Sequence, residues 1–190
     1  MYTKKDSKEI ISQGDIYQNF KYIRWVDKEG GKLRIHRVNY VPFFVVLTQV
    51  CDLKWDFEDR KKNEKDKRDK YIPSILVCPA YIAESFKQGE HLKAIKIISE
   101  KYGRDSWDLI TQNHNFRFHF LEKSEELKIP ELVLDFKHYY TLPLDIFYKY
   151  YKKHYLAELK PLYRENLSQR FAFFLNRIGL PVLNTQQLSE

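Results

Sequence analysis

The stretch Phe43-Phe-Val-Val-Leu-Thr-Gln-Val-Cys-Asp-Leu-Lys54 begins as an unbroken apolar run and ends on small reactive side chains. An apolar run of this kind predicts a strand that is buried on both faces of a sheet. The residues after such a strand are held at the edge of a rigid scaffold, where function is often located. We therefore treat three of these side chains as candidate catalytic groups, namely Thr48, Cys51 and Asp52.

Two interpretations of this trio follow from its chemistry. In one, Thr48 supplies a hydroxyl, Cys51 a thiolate and Asp52 a base, which predicts a Cys/Asp-dependent hydrolase. A nucleophilic cysteine needs a base within reach, and three histidines are candidates: His36, His119 and His138. In the other interpretation Cys51 is a small core residue, as free cysteines usually are. Neither Cys51 nor Cys78 lies in a CxxC pair, so we predict no metal site and no cofactor.

The residues before the apolar run predict two further strands. Residues 16–26 are rich in Tyr, Phe, Ile and Trp, which favour strands. Gly30-Gly31 predicts a hairpin turn, because glycine adopts positive φ at low cost. The return strand at residues 32–40 alternates basic and apolar side chains, and Pro42 should separate it from the apolar run. Three consecutive antiparallel strands with short connections predict part of a small curled barrel.

A charged segment at residues 54–70 interrupts this pattern. Most of it has no apolar side chain, which predicts a mobile excursion or a solvated helix that buries nothing. Residues 74–79 then predict another short buried strand. We expect this strand to pair with residues 45–47, which would bring Cys78 near Cys51.

The second half of the chain predicts helices and two late strands. Residues 80–110 have apolar side chains at a spacing of three to four, which is typical of helices. Residues 115–120 alternate strictly, with Phe side chains on one face and Arg117 and His119 on the other. Residues 130–136 predict a second late strand.

An apolar stripe predicts that a long helix packs on the sheet near the end of the chain. Pro161 is near its start, Gly179-Leu-Pro181 marks its end, and the stripe comprises Tyr163, Leu167, Phe171, Phe174 and Ile178. We predict a single α+β domain over residues 1–190. Its core is a small antiparallel barrel at residues 14–80, and residues 81–190 add helices, late strands and the docked C-terminal helix.

Length and charge narrow the class of protein. A chain of 190 residues can bury a self-sufficient core. It has no apolar leader and no apolar run long enough to cross a bilayer, so we predict a cytoplasmic protein without membrane contact. A net charge of +7, a pI near 9.2 and an aromatic content of 16% favour an anionic partner with flat surfaces, namely single-stranded RNA or DNA.

Two predicted strands present Arg and His side chains together, as phosphate binding beside an acid/base group would require. The candidate nucleic-acid-binding residues are Lys32, Arg34, His36, Arg37, Arg117 and His119. The alternative is that they form the solvated face of a one-sided sheet. In the last helix, Arg164 and Arg170 could bind a phosphate or a partner's carboxylate. The alternative is that they flank the packing stripe.

Short motifs near the start resemble PemK/MazF-type toxins, which are small barrels related to the SH3 fold. The matching motifs are Gly14-Asp15-Ile16 and Pro42-Phe-Phe-Val-Val-Leu-Thr48. In that family an Arg before the Pro and the Ser or Thr at the strand end serve RNA cleavage, so the resemblance implies this role for Thr48. Val41 stands where the Arg would be, which implies weak or absent ribonuclease activity. Two segments also look like a group of uncharacterised bacterial proteins: Leu47–Leu53 and Tyr163–Pro181.

These observations lead to the prediction of a nucleic-acid-associated bacterial protein that is weakly or not ribonucleolytic. The resemblance implies a toxin-like or phage-defence setting. One alternative is a non-catalytic protein-interaction subunit of a bacterial defence complex, and the other is the Cys/Asp-dependent hydrolase. The sequence is compatible with either an enzyme or a binding protein.

Overall fold

The apolar run at residues 43–46 ends a long strand in the computed structural model of the chain. Three ranges are described, with the backbone alone for residues 21–29 and 33–40: residues 1–5, 9–62 and 69–177. The fold is mixed α+β and consists of one curled, half-barrel antiparallel sheet with five helices. The α+β class is therefore confirmed.

Eight strands of the described residues form the sheet. They are β1 (Tyr2–Thr3), β2 (Asp15–Glu29), β3 (Lys32–Val46), β4 (Ser74–Ile82), β5 (Phe118–Leu121), β6 (Leu132–Asp135), β7 (Tyr140–Pro143) and β8 (Tyr155–Leu159). Their order across the sheet is β1-β8-β2-β3-β4-β6-β5, and β7 also pairs with β4. Every pairing is antiparallel.

The described residues form five helices, of which four lie between strands and the last follows the final strand. They are α1 (Val50–Lys61), α2 (Ala83–Lys87), α3 (Arg104–Thr111), α4 (Leu144–His154) and α5 (Pro161–Leu175). Two short 3-10 turns occur at Lys93–Ile95 and Phe136–His138. Within the described ranges, no helix is long and apolar enough to cross a membrane.

Strands β2 and β3 form a hairpin, and both strands are longer than the other strands of the sheet. Gly30 and Gly31 make the turn with φ of +58° and +78°, as predicted. Among the described pairings, β2 joins β8 only at residues 15–17 and β3 joins β4 only at residues 43–46. The outer part of the hairpin, residues 21–40, is therefore a two-stranded arm, which we call the basic ribbon.

The expected break at Pro42 is wrong, because β3 runs through this residue. Val41 pairs with Phe20 and Phe43 pairs with Gln18 on either side of it. Pro42 lies one residue beyond the part of β3 that pairs with β4. A proline is tolerated where a strand has a single neighbour, since its missing N–H need not break a ladder.

The apolar end of β3 is buried on both faces, which confirms the prediction. Val45 packs in one hydrophobic cluster with Phe171 of α5, whereas Phe44 packs in another with Phe147 of α4. The predicted neighbour is also correct, because Val45 pairs with Cys78 of β4. Residues 43–46 thus form the central strand between two cores.

The charged segment after β3 differs from its prediction in one respect. Its first part is the helix α1, and that helix buries Asp56 completely and leaves Asp59 only 9% exposed. The prediction that the segment buries nothing is wrong, because Asp56 is buried in an ion pair with Arg60 and Asp59 is also buried. Residues 63–68 lie outside the described residues.

The prediction of helix across residues 80–110 is only partly correct. Residues 80–82 belong to β4, and α2 ends one turn later at Lys87. Gly89 follows with φ of +73°, and a Cβ there would lie 2.3 Å from the carbonyl oxygen of Ser99. A close backbone approach at this glycine therefore turns the chain out of the helix.

The last helix begins at Pro161 as predicted. Three stripe residues are buried and belong to one hydrophobic cluster: Leu167, Phe171 and Phe174. Tyr163 was expected in the stripe and is 42% exposed instead. Ile178 and the predicted stop at residues 179–181 lie outside the described residues.

Candidate functional site

The trio Thr48, Cys51 and Asp52 lies where β3 ends and α1 begins. The Thr48 hydroxyl accepts a hydrogen bond from the backbone N–H of Leu76, with 2.7 Å between nitrogen and Oγ1. This bond ties the loop to β4. Cys51 and Asp52 lie in the first turn of α1, so their side chains project from a helix rather than from the strand end.

Cys51 is exposed, so its interpretation as a buried core residue is wrong. Its Sγ lies 3.6 Å from Oε1 of Gln49 and 3.7 Å from Oδ1 of Asp52. Among the hydrogen bonds of the described residues, none joins Cys51 to a histidine. Cys78 is fully buried, and burial raises the pKa of its thiol. Among the described side chains, neither thiol therefore has a hydrogen bond to a histidine base that would activate it.

Val41, the residue that replaces the Arg in the resemblance to PemK/MazF-type toxins, belongs to the core. Val41 is 5% exposed and lies in the same cluster as Phe20 and Phe44. A guanidinium at this place would be buried in an apolar cluster without a counter-charge. Val41 is therefore a packing residue.

Four of the predicted nucleic-acid contacts lie on β3 within the basic ribbon. Lys32 is exposed, whereas the side chains of Arg34, His36 and Arg37 lie outside the described residues. Their backbone positions are given by the ladder, in which Arg34 stands opposite Asp27. The ribbon thus brings these four residues onto one strand.

The expectation that Arg117 and His119 face solvent together is wrong. His119 is 3% exposed, and its ring stacks on Phe136 with 6.2 Å between the centroids. Both faces of β5 are covered, because α3 packs on one face and Leu121 points into the cluster that contains α5. Arg117 precedes the strand and pairs with Asp135.

Arg170 helps to enclose His119. It donates two hydrogen bonds of 2.7 Å, to the carbonyl oxygens of Asn115 and Phe118. Burial, with a smaller effect of the nearby Arg170 charge, lowers the pKa of His119 to about 3. His119 is therefore neutral at pH 7 and acts as a packing residue, and Arg170 serves the alternative structural role.

The sheet order also separates the two predicted groups of contacts. Strands β4 and β6 lie between β3, which carries the ribbon residues, and β5, which follows Arg117. The sequence predicts that both groups lie on one basic surface, because it does not reveal the order of the strands in the sheet. The ribbon and the Arg117 region are therefore two distinct parts of the molecule.

The Arg117 region contains a cluster of polar side chains from four parts of the chain, which we call the relay cluster. It consists of Tyr81, His91, Arg117, Asp135 and His138. Tyr81 comes from β4, and Asp135 and His138 come from β6 and the 3-10 turn that follows it. The antiparallel pairing of β4 with β6 brings these elements side by side.

Asp135 is the fixed point of the relay cluster. Its side chain is fully buried, and Arg117 binds it with both Nε, at 2.8 Å from Oδ1, and Nη2. The backbone N–H of Lys137 donates a further bond of 3.0 Å to Oδ1. A buried carboxylate requires such partners, and a bidentate guanidinium fixes its orientation.

His138 links Asp135 to Tyr81. Its Nε2 lies 3.6 Å from Oδ2 of Asp135, and its Nδ1 lies 3.0 Å from the hydroxyl oxygen of Tyr81. The His138 side chain is 28% exposed, whereas Tyr81 is 8% exposed. A fully buried carboxylate, a partly exposed imidazole and a largely buried hydroxyl thus lie in series.

His91 forms an uncharged wall beside this series. Its ring packs 4.3 Å from the Phe86 ring and 4.7 Å from the Tyr81 ring, measured between centroids. Burial, followed by the proximity of His138, lowers the pKa of His91 to about 4. His91 is therefore neutral at pH 7, and among the described residues its buried Nδ1 has no hydrogen-bond partner.

A second buried carboxylate serves architecture alone. Asp56 accepts hydrogen bonds from Nε of Arg60, at 2.6 Å, and from the backbone N–H of Ile72, at 2.8 Å. Arg60 also pairs with Asp145 of α4 and lies between the rings of Tyr71 and Tyr148. The Arg60 guanidinium pairs with the carboxylates of Asp56 and Asp145, and these ion pairs hold α1 against α4.

The relay cluster was not predicted, although one signal pointed to part of it. Asp135 follows the apolar run Leu132–Leu134, and a carboxylate at the end of a buried strand must find a partner. Within the described part of the chain, no group of three His, Cys, Asp or Glu side chains is arranged to hold a metal ion. Comparison of the chain with models of known protein families, with curated proteins and with solved structures finds no match.

Proposed function

We propose that this chain binds single-stranded nucleic acid through the basic ribbon. The observation that carries the proposal is the concentration of charge on residues 21–40, which contain six Lys or Arg and only two Asp or Glu. The whole chain has a net charge of +7, so this arm holds more than half of the excess. Phosphate attraction supplies most of the affinity of such a surface.

The composition of the ribbon also suits unpaired bases. Tyr22, Trp25 and Tyr40 lie among its basic residues. Aromatic side chains stack on exposed bases of any sequence, and Lys and Arg follow the backbone. A toxin-like or phage-defence setting remains part of the proposal on the ground of the resemblance alone.

We also expect little RNA cleavage at the end of β3, where Thr48 lies. The Thr48 hydroxyl is engaged with Leu76 of β4, and the buried Val41 provides no cation beside it. Stabilisation of developing charge is usually the largest catalytic term, and the apolar side chain of Val41 cannot supply it. The Thr48→Ala variant should therefore leave any trace of RNA cleavage unchanged.

Charge reversal with a matched control tests the binding role. Arg34→Glu with Arg37→Glu should weaken binding of single-stranded DNA and flatten the slope of log affinity against log salt, by about 0.7 for each lost phosphate contact. The control is Lys152→Glu with Lys153→Glu, which makes the same charge change at exposed positions of α4. Equal weakening by both pairs would show that net charge, rather than the ribbon, determines binding.

A second candidate is a protein-interaction subunit, and one observation favours it. Leu162 is 78% exposed and Phe173 is 65% exposed on α5. Large exposed apolar side chains are typical of interaction surfaces when they are contiguous. If the chain binds no nucleic acid even at low salt, this candidate is favoured over the ribbon proposal.

A further inference from the structure

The relay cluster has the arrangement of an activated hydroxyl nucleophile. The Tyr81 hydroxyl lies 3.0 Å from Nδ1 of His138, and Nε2 of the same ring faces the Asp135 carboxylate at 3.6 Å. A nucleophile within reach of a base, with the base oriented by a third group, is the signature of covalent catalysis. The distance from Nε2 of His138 to the Asp135 carboxylate is longer than a hydrogen bond, as is common before substrate is bound.

Arg117 provides a cation beside this series. Its Nε and Nη2 are used by Asp135, whereas Nη1 makes no hydrogen bond among the described residues. The Arg117 side chain is 33% exposed, so it is in part open to solvent. A guanidinium held in this way is preorganised to bind a phosphoryl oxygen.

The surroundings of the hydroxyl suit a charged reaction partner. His138 and Arg117 are both partly exposed, and they form the solvent side of the cluster. On the other side, Tyr81 packs against Phe86 and the neutral His91. Charge that develops on a substrate there meets one oriented guanidinium in a partly desolvated place, which strengthens the interaction.

We propose that Tyr81 is a nucleophile that attacks a phosphodiester of single-stranded nucleic acid, an inference that rests on the proposed binding function. The Tyr81 hydroxyl proton passes to Nδ1 of His138 as the oxygen bonds to phosphorus. The bond from phosphorus to the leaving oxygen breaks, and that oxygen takes the proton back from His138. The products are a phosphotyrosine ester and a free hydroxyl end, so the step balances without any further reactant.

Each other residue of the relay cluster has a role in this step. Arg117 touches the substrate and stabilises the negative charge on the phosphoryl oxygens. Asp135 is a positioning residue, because it holds both Arg117 and His138 without reaching the substrate. His91 is a wall residue that limits the access of water to the tyrosine.

Capture of a labelled oligonucleotide tests the proposal. A single-stranded DNA is used, because DNA has no 2′-hydroxyl that could cleave the chain by itself. Incubation with the full chain should give a protein–DNA adduct that survives denaturing electrophoresis, with the phosphate on the peptide that contains Tyr81. Tyr81→Phe should abolish the adduct, and His138→Gln should slow its formation by about 100-fold or more.

Two controls separate chemistry from folding. Tyr81→Phe keeps the ring that packs on Phe86 and His91, so its thermal unfolding should match that of the parent chain. Tyr150→Phe removes a hydroxyl from a tyrosine that is 53% exposed on α4, and it should leave the adduct unchanged. An adduct that persists in a folded Tyr81→Phe protein would overturn the assignment.

A small substrate distinguishes this inference from the proposed function. Bis(4-nitrophenyl) phosphate needs no ribbon, and it should give a burst of one nitrophenolate per chain that depends on Tyr81. Oligonucleotide binding without adduct or burst would overturn the nucleophile and leave the binding function standing. A Tyr81-dependent burst without oligonucleotide binding would overturn the binding function and leave the nucleophile standing.

Discussion

Asp135 shows how this fold retains a buried charge. Its carboxylate is fully buried and is satisfied by the Arg117 guanidinium and by a backbone N–H. Removal of one partner from such a pair leaves an uncompensated charge and typically costs about 3 kcal/mol or more. Asp56 and Arg60 repeat the pattern within α1.

His119 is a buried base, and its burial predicts that the free energy of unfolding depends on pH. Its pKa is lowered to about 3 in the folded chain by burial and, to a smaller extent, by Arg170. The unfolded chain binds a proton near pH 6.5 and the folded chain does not, so stability falls as pH drops from about 6.5 to 3. His119 should account for about 2 kcal/mol of the loss between pH 7 and pH 5, since one pH unit corresponds to about 1.4 kcal/mol.

Urea unfolding of His119→Phe at these two pH values measures the effect. The phenyl ring keeps the stacking on Phe136 and cannot titrate. The variant should therefore lose less stability than the parent chain on acidification, by about 2 kcal/mol. Identical losses in both proteins would mean that His119 is protonated in the folded state.

At the scale of elements, α5 is the helix whose role is most directly testable. Phe171 is 8% exposed and lies 5.4 Å from both the Phe136 and the Tyr139 ring centroids, whereas Phe173, two residues later, is 65% exposed. Phe171→Ala should lower the free energy of unfolding by about 3 kcal/mol or more, because it opens a cavity in the core.

Phe173→Ala is the matched control for this helix. The same atoms are removed from a side chain that faces solvent, so its effect should stay within about 0.5 kcal/mol. Chemical denaturation of both variants compares them directly. Similar effects at the two positions would contradict the packing of α5 through its Leu167, Phe171 and Phe174 face.

At the scale of the whole molecule, local patterns and long-range pairings were predictable to different degrees. Residues 43–46 predicted a doubly buried strand and residues 30–31 a turn, because both signals depend on a few adjacent residues. The alternation at residues 115–120 was misleading, because it does not show that α3 and the α5 cluster cover both faces of β5.

The relay cluster could not be predicted for a related reason. Tyr81 and His138 are 57 residues apart in the chain, and the pairing of β4 with β6 is what makes them neighbours. No local spacing encodes such a contact. The basic ribbon, in contrast, is continuous in the sequence, and its charge could be counted before its structure was known.

Excision of the ribbon tests the central claim most directly. Residues 21–40 are replaced by Asn-Gly, which joins Phe20 to Val41, a pair that already stands in register at the base of the arm. The account predicts that the shortened protein still melts cooperatively but no longer binds single-stranded nucleic acid at low salt. A folded, shortened protein that binds with the parent's affinity and salt slope would contradict the account.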